Sequence, residues 1–294
     1  MKDLGMIRNY LGMNIVQNLR EGTITICQSA YLEKVLKVFD MFECNSVSTP
    51  MEENYDHSFL KRNKSESEDI EKRCRKLIGS LMYAMLCSRP DICVAMGILS
   101  RYQSCASLDL WYALKRVLRY VKGTLELSLV FAKNIGCTTD IITGYVDSDW
   151  AGDRVDRKST GGYLFKVLGC SVSWVSRKQP TISLSSTESE FIALSMAASE
   201  ACWLNNLYCN FSDTQSAVVI YEDNLPVISL CKNPQFHHKL KHIDVKVLFV
   251  REKVFANQIV LKHIGTNEQP ADVLTKPLGR VKFQKFRGML GLIS

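Results

Sequence analysis

The chain has 294 residues, is 46% apolar and 23% charged, and carries a formal charge of +7. That composition suits a globular protein with one large core or two modest ones. No apolar run approaches the length of a membrane span, and the opening MKDLGMIRNY lacks a signal-peptide core. The eleven cysteines form no CxxC pair and sit singly in apolar contexts, which points to reduced, buried thiols rather than disulfides or a zinc framework.

In chain order, YLGMNIVQN and TITICQ flank the turn residues LREG and predict a β-hairpin. SAYLEKVLKVFDMF follows with Leu32, Val35, Leu36 and Phe39 at helical spacing and Ser29 as its N-cap. Residues 51–75 are almost all charge and read as a mobile linker or an exposed helix start. From Leu77 to Phe131 the text is helical, with Pro90 placed to open the second of three helices.

After Asp140 the character changes. IITGYVD, GGYLFKV, CSVSWVS and TISL are short strand-like runs, followed by a long helix from about Ser186 to Cys209. AVVIYED then reads as a strand, Asn224 begins a helix, and HIDVKVLFVREKV is a mixed segment. QIVLKHI is a strand, and a short helix follows Pro270. The order, roughly βββ(β)–α–β–α–α–β–α, predicts an α/β fold with a mixed sheet flanked by helices.

Chemistry concentrates in carboxylates. In SLSSTESEFIAL, Ser185 and Glu188 fit a capping box, with Glu188 folding back on the first turn. Glu190 lies about 200° further round and leads the apolar stripe through Ala193, Leu194, Ala197, Ala201 and Leu204. A carboxylate there needs a partner or a metal. Asp147 and Asp149 end one strand on a shared face, Asp223 ends another, and Asp272 opens the late helix. Any one of these aspartates alone is more often a turn or cap residue. As a set, Asp147, Glu190, Asp223 and Asp272 would repel by about 4 kcal/mol per close pair at an effective dielectric near 20. Two divalent cations would offset that repulsion, and all-oxygen ligands favour Mg2+, or Mn2+, over zinc. Two such ions about 3.5–4 Å apart suit hydrolysis of a phosphodiester.

The block GYVDSDWAGDRVDRKSTGGYLF…SLSSTESEFIALS…IYEDNLPVISL…QPADVLTKPL resembles the ribonuclease H domain of copia-type LTR retrotransposon Pol polyproteins. Upstream, KDLG…YLGMNI, SAYLEKVLKVFDMFECNSVSTPM, IGSLMYAMLCSRPDI and ALKRVLRYVKGT resemble the reverse transcriptase segments that precede it. The resemblance implies a ribonuclease H-like mixed sheet, preceded by a mostly helical thumb and connection region that starts with the hairpin. It implies the end of a palm and thumb over 1–50, a linker over 51–75, a helical connection over 76–135, the ribonuclease H domain over 136–276 and a basic tail over 277–294. The implied activity is two-metal cleavage of the RNA strand of an RNA–DNA hybrid, with Asp147, Glu190, Asp223 and Asp272 as ligands and Asp149 the fallback for the first.

Arg157 and Lys158, in DRKST, would meet phosphate unless they form a plain solvated hairpin tip. Lys276 and Arg280 begin an acid-free basic stretch that either tracks the backbone or is a solvated end. The chain contains no Asp-Asp dipeptide, so polymerisation is not expected, and the palm and fingers would lie upstream in a longer polyprotein. Leu110, Leu240 and Leu248 replace residues usual in the family, which questions packing or substrate contacts and keeps an inactive relic as the alternative. His237, His238 and His242 with Cys231 match no usual zinc spacing, and His263 is a candidate mobile histidine. The implied setting is intracellular, either cytoplasmic in a virus-like particle or nuclear.

Overall fold

A computed structural model of the protein describes residues 5–61, 68–133, 140–212, 216–233 and 244–294. In order the elements are β1 (Asn9–Tyr10), β2 (Met13–Asn18), β3 (Thr23–Cys27), α1 (Ser29–Val38), α2 (Glu68–Cys87), α3 (Cys93–Leu99), α4 (Leu108–Lys122) and β4 (Ser128–Ala132). Then come β5 (Ile142–Asp149), β6 (Thr160–Val167), β7 (Cys170–Lys178), α5 (Ser186–Cys209), β8 (Val218–Glu222), α6 (Leu225–Lys232), α7 (Asp244–Phe255), β9 (Ile259–His263), α8 (Arg280–Met289) and β10 (Leu292–Ile293). They form two compact units, Met1–Lys133 with Pro277–Ser294, and Asn134–Lys276.

The first unit carries an antiparallel sheet in the order β1-β2-β3-β4-β10. The predicted hairpin is β2–β3; Asn18 Oδ1 accepts from the amides of Arg20 and Glu21, and Gly22 takes φ +65° to close the turn. Three expectations change here. Ser29 is the first helical residue and Gln28 the N-cap, without a side-chain cap bond. SLVFA is not helical but is β4, because its β-branched and aromatic residues pair with β3 over Thr23–Ile26. The stretch 277–294 is α8 and β10, with Phe283 and Phe286 buried and Leu292 paired with Leu129. The charged stretch ends in a helix start, since α2 begins at Glu68 with Glu68, Asp69 and Glu71 in its first turn.

The core of this unit contains an ion pair. Arg89 donates from Nε and Nη2 to the two oxygens of Asp91 at 2.9 and 2.8 Å, and Nη1 donates to the Thr124 carbonyl at 3.1 Å. Tyr120 donates its hydroxyl to Asp91 Oδ2 at 2.5 Å. Asp91 keeps the guanidinium fully charged despite complete burial.

The second unit is the predicted ribonuclease H-like mixed sheet, in the order β7-β6-β5-β8-β9. β5–β6 and β6–β7 are antiparallel, whereas β5–β8 and β8–β9 are parallel. Ile142 and Val146 of β5 join Phe191, Leu194, Ala197 and Ala201 of α5 in one core. TISL is not a strand, because its backbone is held by side chains. The Ser183 carbonyl accepts from Trp150 Nε1 at 3.0 Å, and the Leu184 amide donates to Glu188 Oε2 at 2.8 Å. A short 3-10 turn, Pro270–Leu274, packs over Gly162, where a Cβ would lie 2.9 Å from Leu274 Cβ. Only glycine permits that approach.

Candidate active site

Strand alternation sets the site. Val146 points into the core under α5, so Asp147, one residue on, points the other way, where Thr275 donates its hydroxyl to Asp147 Oδ2. Glu190 sits one turn inside α5, a helix opened by Ser185, whose Oγ accepts from the Glu188 amide at 3.2 Å. Asp223 follows the last residue of β8 and accepts from Thr266 Oγ1 at 2.8 Å.

These three converge. Ligand oxygens of Asp147, Glu190 and Asp223 all lie within 4.8 Å of one another. Asp149 and Asp272 are outside that group. Asp272 is fully buried in the Pro270–Leu274 turn and pairs with Lys276 Nζ at 2.9 Å, an ammonium that also stands 3.8 Å from Asp147 Oδ2. Gln269, also fully buried, donates to the Val146 carbonyl at 2.9 Å and so ties the turn to β5.

Glu188 behaves as a cap, with its carboxylate on the Leu184 amide. Glu190 behaves otherwise: its Oε2 has no hydrogen-bond partner among the described residues. Burial, then the charges of Asp147, Glu222 and Asp223, pushes its carboxyl up to about 11. Burial likewise raises Asp147 to about 7, against the relief given by Lys276.

Glu222 belongs to this environment and was not singled out in the sequence. Burial first, then the Asp223 and Asp147 charges, raises it well above the usual carboxylate range, and its Oε2 is also without a partner among the described residues. Alternation carried the signal, because Val218 and Ile220 are core residues and Glu222 continues their face of β8. The buried oxygens fit a divalent ion: hard donors only, negative charge in excess, and orphaned atoms that an ion would satisfy.

Arg157 is exposed on a left-handed turn (φ +57°) and its charge reaches Asp149. Lys158 closes that turn through backbone bonds with Asp153 and the Asp156 carboxylate, and Lys178 pairs with both aspartates. Arg280 is exposed at the start of α8, in the other unit. His263 ends β9, exposed, in register with Glu222. His237, His238, His242 and Leu240 lie outside the described residues. Cys231 is buried, and its thiol is in no disulfide. Leu110 is buried in α4 and Leu248 exposed on α7.

The reverse transcriptase (RNA-dependent DNA polymerase) family profile matches residues 1–53. The retrovirus-related Pol polyprotein from transposon TNT 1-94 of Nicotiana tabacum is 38% identical over 300 residues, covering 100% of this chain and 22% of that polyprotein. An uncharacterized mitochondrial protein of Arabidopsis thaliana is 36% identical over 204 residues, 69% of this chain and 80% of that protein. A solved ribonuclease H1 isolated from compost aligns at a TM-score of 0.38 and 15% identity, over 47% of this chain and 94% of that one. The chain thus spans about a fifth of the tobacco polyprotein. With 38% identity along the whole of its own length to part of a retrovirus-related Pol polyprotein, the chain belongs to the Pol polyproteins of copia-type retrotransposons.

Proposed function

We propose that the chain is a metal-dependent ribonuclease H that cuts the RNA strand of an RNA–DNA hybrid, with Mg2+ (or Mn2+) held by Asp147, Glu190, Asp223 and Asp272. The observation that carries the reading is the meeting of three carboxylates from three elements within 4.8 Å, with a buried Glu190 oxygen left unpartnered among the described residues. When bound, two ions would supply an activated water and charge stabilisation at the scissile phosphodiester.

The chain's own residues orient and bind. Thr275 fixes the rotamer of Asp147, Gln269 holds the turn carrying Asp272, and Glu188 caps the helix that presents Glu190. Arg157 and Lys158 would engage the hybrid backbone, and Arg280 would offer a further phosphate contact, so binding would weaken steeply with salt. Selection of RNA over DNA would rest on duplex shape and 2′-hydroxyl contacts. Polymerisation is not proposed, because the sequence has no Asp-Asp pair.

The test is a hybrid labelled on the RNA strand, incubated with the chain in Mg2+ and in EDTA, beside Glu190→Gln and Glu188→Gln. Mg2+-dependent cutting that is lost in Glu190→Gln and kept in Glu188→Gln supports the reading. A folded parent that leaves the hybrid intact would make the acids an inherited pattern in an inactive relic.

A further inference from the structure

Among the described residues, Lys276 is the cation paired with the acids, and its surroundings are unusual for a residue expected to reach out to phosphate. Its ammonium is 2.9 Å from Asp272 Oδ1 and 3.8 Å from Asp147 Oδ2. Those two side chains are 0% and 4% exposed, whereas Lys276 keeps 33%. The ammonium therefore stands at the rim of the cluster with its charge turned inward. Asp149 also feels it. Arg157, another cation acting on Asp149, is exposed on its turn.

We propose that Lys276 is the resident counter-cation of the site. It holds Asp147 and Asp272 while no metal is bound, and it swings out to solvent as a divalent ion takes over Asp272. This rests on the metal-binding reading above. The swing is cheap in geometry, because a four-carbon stem can carry its charged head outward along the surface without moving the backbone. Asp272 cannot leave in exchange, since it is anchored within a turn pinned by Gln269.

Two consequences follow from one displacement. Metal affinity is lowered by the competition, so the site stays intact in the absence of metal but loads only above a threshold concentration. The released ammonium then has no carboxylate partner, and a phosphate of the hybrid backbone can take that place. Metal and hybrid should therefore bind with positive coupling, which linkage makes reciprocal.

The full chain, Lys276→Met, Lys276→Arg and Glu190→Gln would be titrated with Mn2+ by electron paramagnetic resonance, without hybrid. Lys276→Met is expected to bind Mn2+ about tenfold more tightly than the parent and to melt lower in EDTA; Lys276→Arg should keep the parent's melting temperature. Should Lys276→Met fail to fold, acetylation of the parent's lysines, read by mass spectrometry, decides. Mg2+ should expose Lys276 and speed its labelling severalfold. Mn2+ binding by the parent with unchanged or weaker affinity in Lys276→Met, or with Lys276 labelling indifferent to Mg2+, overturns this proposal alone. No Mn2+ binding by the parent, with Glu190→Gln indistinguishable from it, overturns the metal site and this proposal with it.

Discussion

Gln269 Nε2 donates to the carbonyl of Val146 at 2.9 Å, across 123 residues of chain and without access to solvent. The bond joins the strand that carries Asp147 to the turn that carries Asp272. Gln269→Leu leaves a buried carbonyl unpaired and should destabilise the unit by about 1–3 kcal/mol. Because Asp272 loses its anchor, the stabilisation by Mg2+ should shrink as well. Urea melts with and without Mg2+ measure both effects; an unchanged Mg2+ increment would make Gln269 structural only.

Glu188 and Glu190 should separate cleanly. Glu188→Gln weakens a cap and should cost about 1 kcal/mol while leaving hybrid cleavage near the parent rate. Glu190→Gln removes a buried carboxylate, so the metal-free protein should melt higher than the parent. Cleavage should fall at least about a hundredfold, the scale of several kcal/mol of lost charge stabilisation. A Glu190→Gln enzyme cutting at the parent rate would place the chemistry elsewhere.

The pH dependence of stability follows from the direction of the shifts. Asp147 and Glu190 are raised, to about 7 and about 11, so the folded chain holds protons that the unfolded chain has released. Stability without metal is therefore greatest at low pH and falls as pH rises, from about 4 to 7 for Asp147 and onward toward 11 for Glu190. The slope is at most about 1.4 kcal/mol per pH unit for each group. Melts in EDTA between pH 6 and 9 should show the fall, and Mg2+ should flatten it by replacing the protons. A melting temperature that climbs with pH in EDTA contradicts the burial of these acids.

In the first unit, Asp91→Asn leaves the buried Arg89 guanidinium without its charge partner. Breaking such a pair from one side costs about 3–5 kcal/mol. Arg89→Lys should also destabilise, since an ammonium cannot reproduce the bidentate bond. Denaturation followed by intrinsic fluorescence, with Trp111 in this unit reporting, would show the loss; a shift below about 1 kcal/mol would mean the pair is neutralised some other way.

Gly162→Ala tests the close approach of the Pro270–Leu274 turn. A methyl group 2.9 Å from Leu274 Cβ must push the turn away. Stability should drop by about 1–3 kcal/mol, the usual scale of overpacking, and Mg2+ stabilisation should fall with it. Alanine at parent stability would show that the turn has room to move.

The sequence by itself determined what near neighbours decide. Ser185 with Glu188 spells a cap, and the alternation in β5 puts Asp147 opposite Val146. The apolar stripe of α5 makes Glu190 a carboxylate in need of explanation, and that explanation proved to be the company of Asp147 and Asp223. These features depend on residues two to four apart, whose periodicity is written locally. The tertiary structure alone decided the rest. SLVFA became β4 because β3 lies beside it, the basic stretch became α8 and β10 because β4 offered an edge, and TISL was held out of the sheet by side chains. Lys276 looked like one more charge of a basic run, yet it pairs with Asp272 and Asp147, the second of them 129 positions away. Glu222, not singled out within AVVIYED, became a buried acid beside Glu190. Sheet edges and buried charges take their partners from distant chain, and no local pattern encodes which partner arrives.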